Sequence, residues 1–439
     1  MSLPNDLSAF WLPFTPNRDF KRNPRIIARA EGMYFYDESG RALLDTCSGL
    51  WCVNAGHGRK PIVEAIRKCA GELDFAPTFQ FAHPAAFALA ERVAALAPDG
   101  MDHVFFVNSG SEAADTALKI ARAHALKKGQ GGRFRLIGRE RGYHGTTFGG
   151  ISVGGIANNR KPYGPLVPGT DDHLPLAYDK ASMTFTHGEP SGGAAFADAL
   201  EGLVALHGAE TIASVIVEPF AGSAGVFAPP KEYLQRLRTL CDKHGILLIF
   251  DEVITGFGRV GHSFAAERYG VTPDIITFAK GVTNGAVPMG GVIVSNRIHD
   301  AFMSGPDHAI ELFHGNTYSG HPLACAAALA TLDLYRDEGL FERARKMELV
   351  LEEAVHSLKG APFVSDIRNC GMAAGIDIEP DANAPGRRGY EAISRAFHDQ
   401  DMVIRVGGDT IALAPALIAT EDEITRMVEG VRAVLMHIT

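Results

Sequence analysis

Apolar residues in this chain fall into short continuous runs separated by longer amphipathic stretches. Short runs bounded by turn residues fit strands buried on both faces, and the stretches between them fit helices. Residues 103–128, HVFFVNSGSEAADTALKIARAHALKK, predict a strand, a tight turn and a helix. Residues 134–145, FRLIGRERGYHG, predict a strand and a loop, and 212–225, IASVIVEPFAGSAG, a strand ending in an acid and a Gly-rich loop. KEYLQRLRTLCDKHG reads as a helix that stops at Gly245, with ILLIFDE as the next strand. This alternation predicts an α/β fold with a mostly parallel sheet. After HPLACAAALATLDLYRDEG the pattern turns helical and charged, which predicts a smaller α+β domain over 321–439. Residues 61–320 then form the large domain. Residues 1–60 contain a hairpin pattern, GMYFYDESGRALLDTCSGLW, and are expected to pack with the small domain.

Composition narrows the classes. A chain of 439 residues with 46% apolar content has material for a large core and predicts two domains. A net charge of −9 without a long Lys/Arg run argues against nucleic acid or an anionic membrane surface as partner. No apolar run approaches the length of a membrane span. The N-terminal residues show no basic-then-apolar signal pattern, and the six cysteines form no CxxC, so reduced thiols in the cytoplasm are expected.

Two strand ends carry the candidate chemistry. The run Ile246–Phe250 ends in Asp251, and the run Ile275–Phe278 ends just before Lys280. Pyridoxal phosphate needs such a pair: a lysine amine for its aldehyde and a carboxylate that favours the protonated ring nitrogen. A turn-capping Asp251 and a solvated Lys280 are the plainer alternative. Asn108–Glu112, NSGSE, lies between strand and helix, where Ser109, Gly110 and Ser111 suit one phosphate at the helix start. An ordinary N-cap is equally consistent with it. The motif has no P-loop lysine, so a nucleoside triphosphate is disfavoured.

Tyr143-His144-Gly145 could place an aromatic flat on a cofactor ring, or simply pack a loop on the surface. Glu218 ends its strand as Asp251 does, and could orient ring substituents or the lysine, or cap a turn. Thr317, in GNTYSGHP, could donate to a phosphate or sit in a polar connection. Arg405 lies in MVIRVGGDTIALAP, where a lone arginine wants a carboxylate; an internal salt bridge with Asp409 or another acid is the alternative. Trp51 and Trp11 could wall an apolar pocket or belong to the core. The histidines show no metal spacing, so no metal is predicted, and neither a nucleophile elbow nor a dinucleotide fingerprint occurs in context.

Together these motifs resemble the class III pyridoxal-phosphate aminotransferases of fold type I, nearly end to end. LLIFDEVITGFGRVG followed by PDIITFAKGVTNGAVPMGG carries most of the resemblance. It implies a large domain with a mostly parallel seven-stranded sheet, a smaller α+β domain, and a homodimer, or a tetramer of such dimers, with active sites at the interface. Lys280 would form the Schiff base and Asp251 would pair with the pyridinium nitrogen. Ser109, Gly110 and Ser111 would hold the phosphate, with Thr317 of the neighbouring subunit. Tyr143 and Val253 would cover the two ring faces, with His144 among the cofactor-binding residues and Glu218 near the lysine and ring hydroxyl.

Within the class the chain looks most like the ω-amino acid:pyruvate (β-alanine:pyruvate) aminotransferases. Ornithine and γ-aminobutyrate aminotransferases carry a gating glutamate where this chain has Ser223, and often glutamine where it has Ile254. Both changes make the pocket less polar. In the resembled subgroup Arg405 would bind the pyruvate carboxylate, and Trp51, Phe79 and Tyr143 would line the pocket. The final strand departs, reading IALAP after GGDT where the subgroup usually reads Leu-Gln-Phe-Gly-Pro. The implied reaction is ping-pong transfer from a β-alanine-like donor to pyruvate through pyridoxamine phosphate, giving L-alanine. Alternatives are a diamine or γ-aminobutyrate:pyruvate aminotransferase, an aminomutase or decarboxylase, or a binding protein that keeps the fold without the chemistry.

Overall fold

The computed structural model describes residues 7–439, so the first six residues of the 1–60 segment lie outside the described residues. Three short strands open the fold: β1 (Arg29–Glu31), β2 (Tyr34–Tyr36) and β3 (Ala42–Asp45). They form the expected meander, with Tyr34 opposite Leu44 in the β2/β3 hairpin.

The large sheet contains β4 (His103–Val107), β5 (Arg135–Arg139), β6 (His173–Leu174), β7 (Ile212–Val217), β8 (Leu247–Asp251), β9 (Ile275–Ala279) and β10 (Gly290–Val294). Its order is β4-β10-β9-β8-β7-β5-β6, seven strands of which β10 alone runs antiparallel to its neighbours. Every residue of β7, β8, β9 and β10 is buried. That is why these strands appear as unbroken apolar runs: helices cover both faces, so no position faces water. Helix Gly110–Lys127 packs on β9 and β10. Helix Tyr233–His244 ends at Gly245, whose φ of +63° closes the last turn before β8 begins.

The C-terminal region contributes β11 (Val364–Asn369), β12 (Ala374–Ile378), β13 (Met402–Val403), β14 (Arg405–Gly407) and β15 (Thr410–Leu413). Four of these make an antiparallel sheet, β11-β12-β15-β14, packed against helices Leu340–His356 and Arg387–Asp399, and helix Glu421–Leu435 packs on those two helices. The fifth, β13, joins the N-terminal meander by pairing parallel with β3, Met402 opposite Leu44. Among the described residues no helix is long and apolar enough to cross a membrane.

Candidate active site

The carboxyl ends of β7, β8 and β9 lie side by side, because Val217 is in register with Phe250 and Phe250 with Ile276. Glu218, Asp251 and Lys280 therefore open onto one edge of the sheet, where α/β folds bind ligands. Lys280 adopts φ +51°, a left-handed conformation that turns the chain away from the strand. The residues lining a cleft beyond these ends include Trp51, Gly110, Ser111, Tyr143, His144, Glu218, Ser223, Asp251, Val253, Ile254, Lys280 and Arg405.

Asp251 is buried. Its Oδ2 lies 2.8 Å from Nδ1 of His144, and its Oδ1 accepts from the Val253 amide at 3.2 Å. His144 is wholly enclosed, and its Nε2 has no partner among the described residues. His144 thus stands behind the carboxylate and fixes its orientation. Glu218 accepts from the Tyr143 amide through Oε1 and from the Gly222 amide through Oε2, each at 3.0 Å. It ties together the two loops that frame the cleft, so capping and site-building are one role here. Burial pushes the Glu218 carboxyl above its usual range.

Ser109 is the N-cap of helix Gly110–Lys127: its side chain accepts from the Glu112 amide, and the Glu112 carboxylate accepts from the Asn108 amide at 2.7 Å. Ser111 Oγ accepts from the Thr146 amide at 3.0 Å, which links the helix start to the Tyr143 loop. The N-cap and the anion cradle are therefore compatible readings of one turn. At Gly110 a Cβ would lie 2.9 Å from a Val253 methyl, so glycine is what allows Val253 to close over the helix start.

The Lys280 side chain has no hydrogen-bond or ion-pair partner among the described residues. It is mostly covered by protein, and desolvation, above all, lowers its pKa from the ordinary 10.5; nearby acids oppose the shift. An unpaired amine of lowered pKa, a buried carboxylate held by a histidine, and open amides at a helix start fit pyridoxal phosphate. The fit rests on these residues' own chemistry: an aldehyde for the amine, a ring nitrogen for the carboxylate, and an anion for the helix start.

On the substrate side, Arg405 projects from β14 and also lacks a hydrogen-bond or ion-pair partner among the described residues. The alternative of a salt bridge to Asp409 does not hold. Asp409 instead accepts from the Gly386 and Gly389 amides, at 2.6 and 3.1 Å, and caps helix Arg387–Asp399. Trp51 is 2% exposed with φ +62°, and its indole nitrogen is buried without a partner. Ile254, also buried, lies so close to Gly222 that a Cβ there would come within 2.8 Å of its Cδ1.

Of the site residues named from sequence, Ser109, Trp11, Phe79 and Thr317 are not among those lining this cleft. Phe79 is 55% exposed, and Thr317 is exposed. They belong to one surface, since a Cβ on Gly315 would touch the Phe79 ring at 2.8 Å. Other contributors escaped sequence reading. Asp45, buried below Trp51, accepts from the Cys47 and Gly49 amides and from His57 Nε2, at 3.0, 2.5 and 2.7 Å. Asn284, just beyond Lys280, accepts from the Ala55 amide and donates to the Gly56 carbonyl. Arg259 lies within the GFGRVG segment already singled out, but nothing in that segment announces its burial.

Comparison with known proteins agrees with this geometry. Residues 16–435 match the family described as Aminotransferase class-III. An omega-aminotransferase of Caulobacter vibrioides is 58% identical over 431 residues, 98% of each chain. A beta-alanine--pyruvate aminotransferase of Pseudomonas aeruginosa is 49% identical over 429 residues, 97% of this chain and 95% of the relative. Among solved structures, an amine transaminase from an uncultivated Pseudomonas species, in the PLP-bound (internal aldimine) form, superposes with a TM-score of 0.90 at 37% identity. It covers 98% of this chain and 99% of its own. By sequence, fold and cleft chemistry the chain belongs to the class III aminotransferases, pyridoxal-phosphate-dependent transaminases built on this α/β architecture.

Proposed function

We propose that this transaminase moves an amino group from an ω-amino acid or primary amine, β-alanine-like in character, to pyruvate. The observation that carries the reading is one cleft holding two cations without protein partners, Lys280 and Arg405. The first suits a carbonyl and the second a carboxylate. The cofactor, when bound, supplies an aldehyde that captures amines and a ring that stores an electron pair. Lys280, desolvated and so neutral at lower pH than a free lysine, would take the proton from the donor's amine-bearing carbon and deliver it to the carbon of the cofactor's former aldehyde. Asp251 holds the proton on the ring nitrogen, and His144 keeps its carboxylate aimed. Tyr143 and Val253 cover the ring, Ser109, Gly110 and Ser111 receive the phosphate, and Glu218 fixes the surrounding loops.

Arg405 pairs with the keto acid's carboxylate and must stand aside for donors that lack one. Trp51, Ser223 and Ile254 leave an apolar wall with no acid to hold Arg405 in reserve. The relatives named for β-alanine and pyruvate support this choice of substrates. Phe79 and Thr317 act from the partner subunit of a homodimer: both sit on an exposed face and would complete the other chain's cleft. Residues 1–60 and 321–439 form the small domain around 61–320, in keeping with the β3/β13 pairing, and the enzyme works in the cytoplasm.

The test is a donor panel with pyruvate as acceptor: β-alanine, γ-aminobutyrate, putrescine, taurine and 1-phenylethylamine. Turnover of β-alanine with stoichiometric L-alanine is expected. Preference for putrescine or γ-aminobutyrate would move the enzyme to the diamine or γ-aminobutyrate class, and product without any keto acid would overturn transamination.

A further inference from the structure

Arg259 is fully buried and makes no ion pair among the described residues, and burial lowers its pKa to about 10. A buried cation without an acid is costly unless its donors are satisfied, and in Arg259 only Nε is left without a partner among the described residues. Arg259 uses its four terminal contacts on three distant parts of the chain. Nη1 donates to the Met372 carbonyl at 2.9 Å and the Pro415 carbonyl at 2.7 Å. Nη2 donates to Ser48 Oγ at 3.0 Å and Asn54 Oδ1 at 2.8 Å. Its own carbonyl accepts from the Met372 amide at 2.8 Å.

These partners surround the substrate side of the cleft. Ser48 begins the turn that ends in Trp51, and both residues, with Gly49 between them, have positive φ. Such a turn persists only where its surroundings over-determine it. Ser48 also donates to the Ala414 carbonyl at 2.6 Å, just past β15, and β15 pairs with the β14 strand that bears Arg405. Asn54 donates to the Phe257 carbonyl, and a Cβ on Gly281, beside Lys280, would lie 2.7 Å from its amide nitrogen. One guanidinium therefore fixes the Trp51 wall, the support of Arg405 and the flank of Lys280 against each other.

We propose that Arg259 is a positioning residue that sets donor size: it holds the Trp51 wall and the Arg405 strand at a fixed distance from Lys280, without touching substrate. This rests on the substrate pocket proposed above. The planar fork of arginine can serve four acceptors in this arrangement, and a lysine ammonium cannot.

The experiment uses the cofactor-loaded enzyme with Arg259→Lys, in a Trp11→Phe background. Trp11 is 86% exposed and is the only other tryptophan, so emission then reports Trp51 alone. The expected result is retained cofactor absorption, a red shift of emission, and a rise of about tenfold in the kcat/KM ratio of 1-phenylethylamine to β-alanine, as for a wall displaced by about 1 Å. Equal losses on both donors with unshifted emission would overturn the proposal and leave Arg259 a plain structural residue. Should Arg259→Lys not fold, Ser48→Ala deletes one of the four contacts and is judged by the same two readings. If the wild-type enzyme uses neither donor, the substrate reading fails, while the emission shift still decides the role of Arg259.

Discussion

Replacing Arg405 with alanine should separate the two half-reactions. A charge-assisted hydrogen bond contributes about 1.5–3 kcal/mol net, and a carboxylate gripped by both arms of a guanidinium gains two. Arg405 is partly exposed, so water screens it and the lower end applies, about 3 kcal/mol in all. That corresponds to a loss of about two orders of magnitude in kcat/KM for pyruvate. An amine without a carboxylate loses nothing, because its transition state never used the arginine. No protein group is left unpaired by the change, since Arg405 has no hydrogen-bond or ion-pair partner among the described residues. Single-turnover absorption of the bound cofactor follows each half-reaction separately, with 1-phenylethylamine as donor and pyruvate as acceptor. The expected outcome is a fall of about a hundredfold for pyruvate beside a change under about threefold for the amine. Equal falls would refute the reasoning and place Arg405 in the framework.

Three further outcomes are expected. Lys280→Ala should retain the fold but lose transamination and the absorption band of lysine-linked cofactor; measurable turnover would remove Lys280 from the chemistry. Gly145→Ala places a Cβ 2.3 Å from Ser111 Oγ and 2.6 Å from Ser111 Cα at a φ of +90°, whereas Gly129, at φ +71°, has nothing within 4 Å. Thermal unfolding should show a loss of about 1–2 kcal/mol for Gly129→Ala and at least about 2 kcal/mol more for Gly145→Ala, and equal losses would contradict the packing. Buried Glu252 has its carboxyl raised by desolvation from 4.5 to about 7. The folded state then binds a proton more tightly than the unfolded one, so this group's stabilisation is full below pH 4.5 and is lost as pH rises through 7. Over that window the wild type should lose about 3 kcal/mol relative to Glu252→Gln in urea unfolding, and parallel curves would show that Glu252 does not titrate there.

Legibility from sequence followed the range of the interactions. β7 to β10 were readable because burial on both faces writes itself as an apolar run. Asp251 and Lys280 were readable because charge at the end of such a run is anomalous. Arg405 was readable for the same reason, and its competing partner, Asp409, was removed only by seeing it cap another helix. Arg259 was not readable. A cation in a Gly-rich loop looks solvated, and two of its partners are backbone carbonyls more than a hundred residues away, at Met372 and Pro415. Backbone acceptors carry no residue-type signature. The Trp51 turn was hidden likewise, because its positive φ values at Ser48 and Trp51 are imposed by Asp45 and Arg259 rather than by local preference. Phe79 and Thr317 were legible as residue types but not as places, since a single chain leaves both on its surface.

The cleft thus has two kinds of support. Glu218, Asp251 and Lys280 sit at the ends of adjacent, wholly buried parallel strands, where a shift of any one would have to break sheet pairing. Trp51 and Arg405 sit on a strained turn and a short strand, joined to that sheet by side-chain hydrogen bonds. The energies differ accordingly: moving a core strand costs many packing contacts at once, whereas loosening one hydrogen bond costs about 1 kcal/mol. Substitutions around Arg259, Asp45 and Asn54 should therefore change which amine is accepted well before they disturb proton transfer at Lys280. Donor range in this enzyme is set by the hydrogen bonds that hold the pocket wall, including those of residues that never meet the substrate.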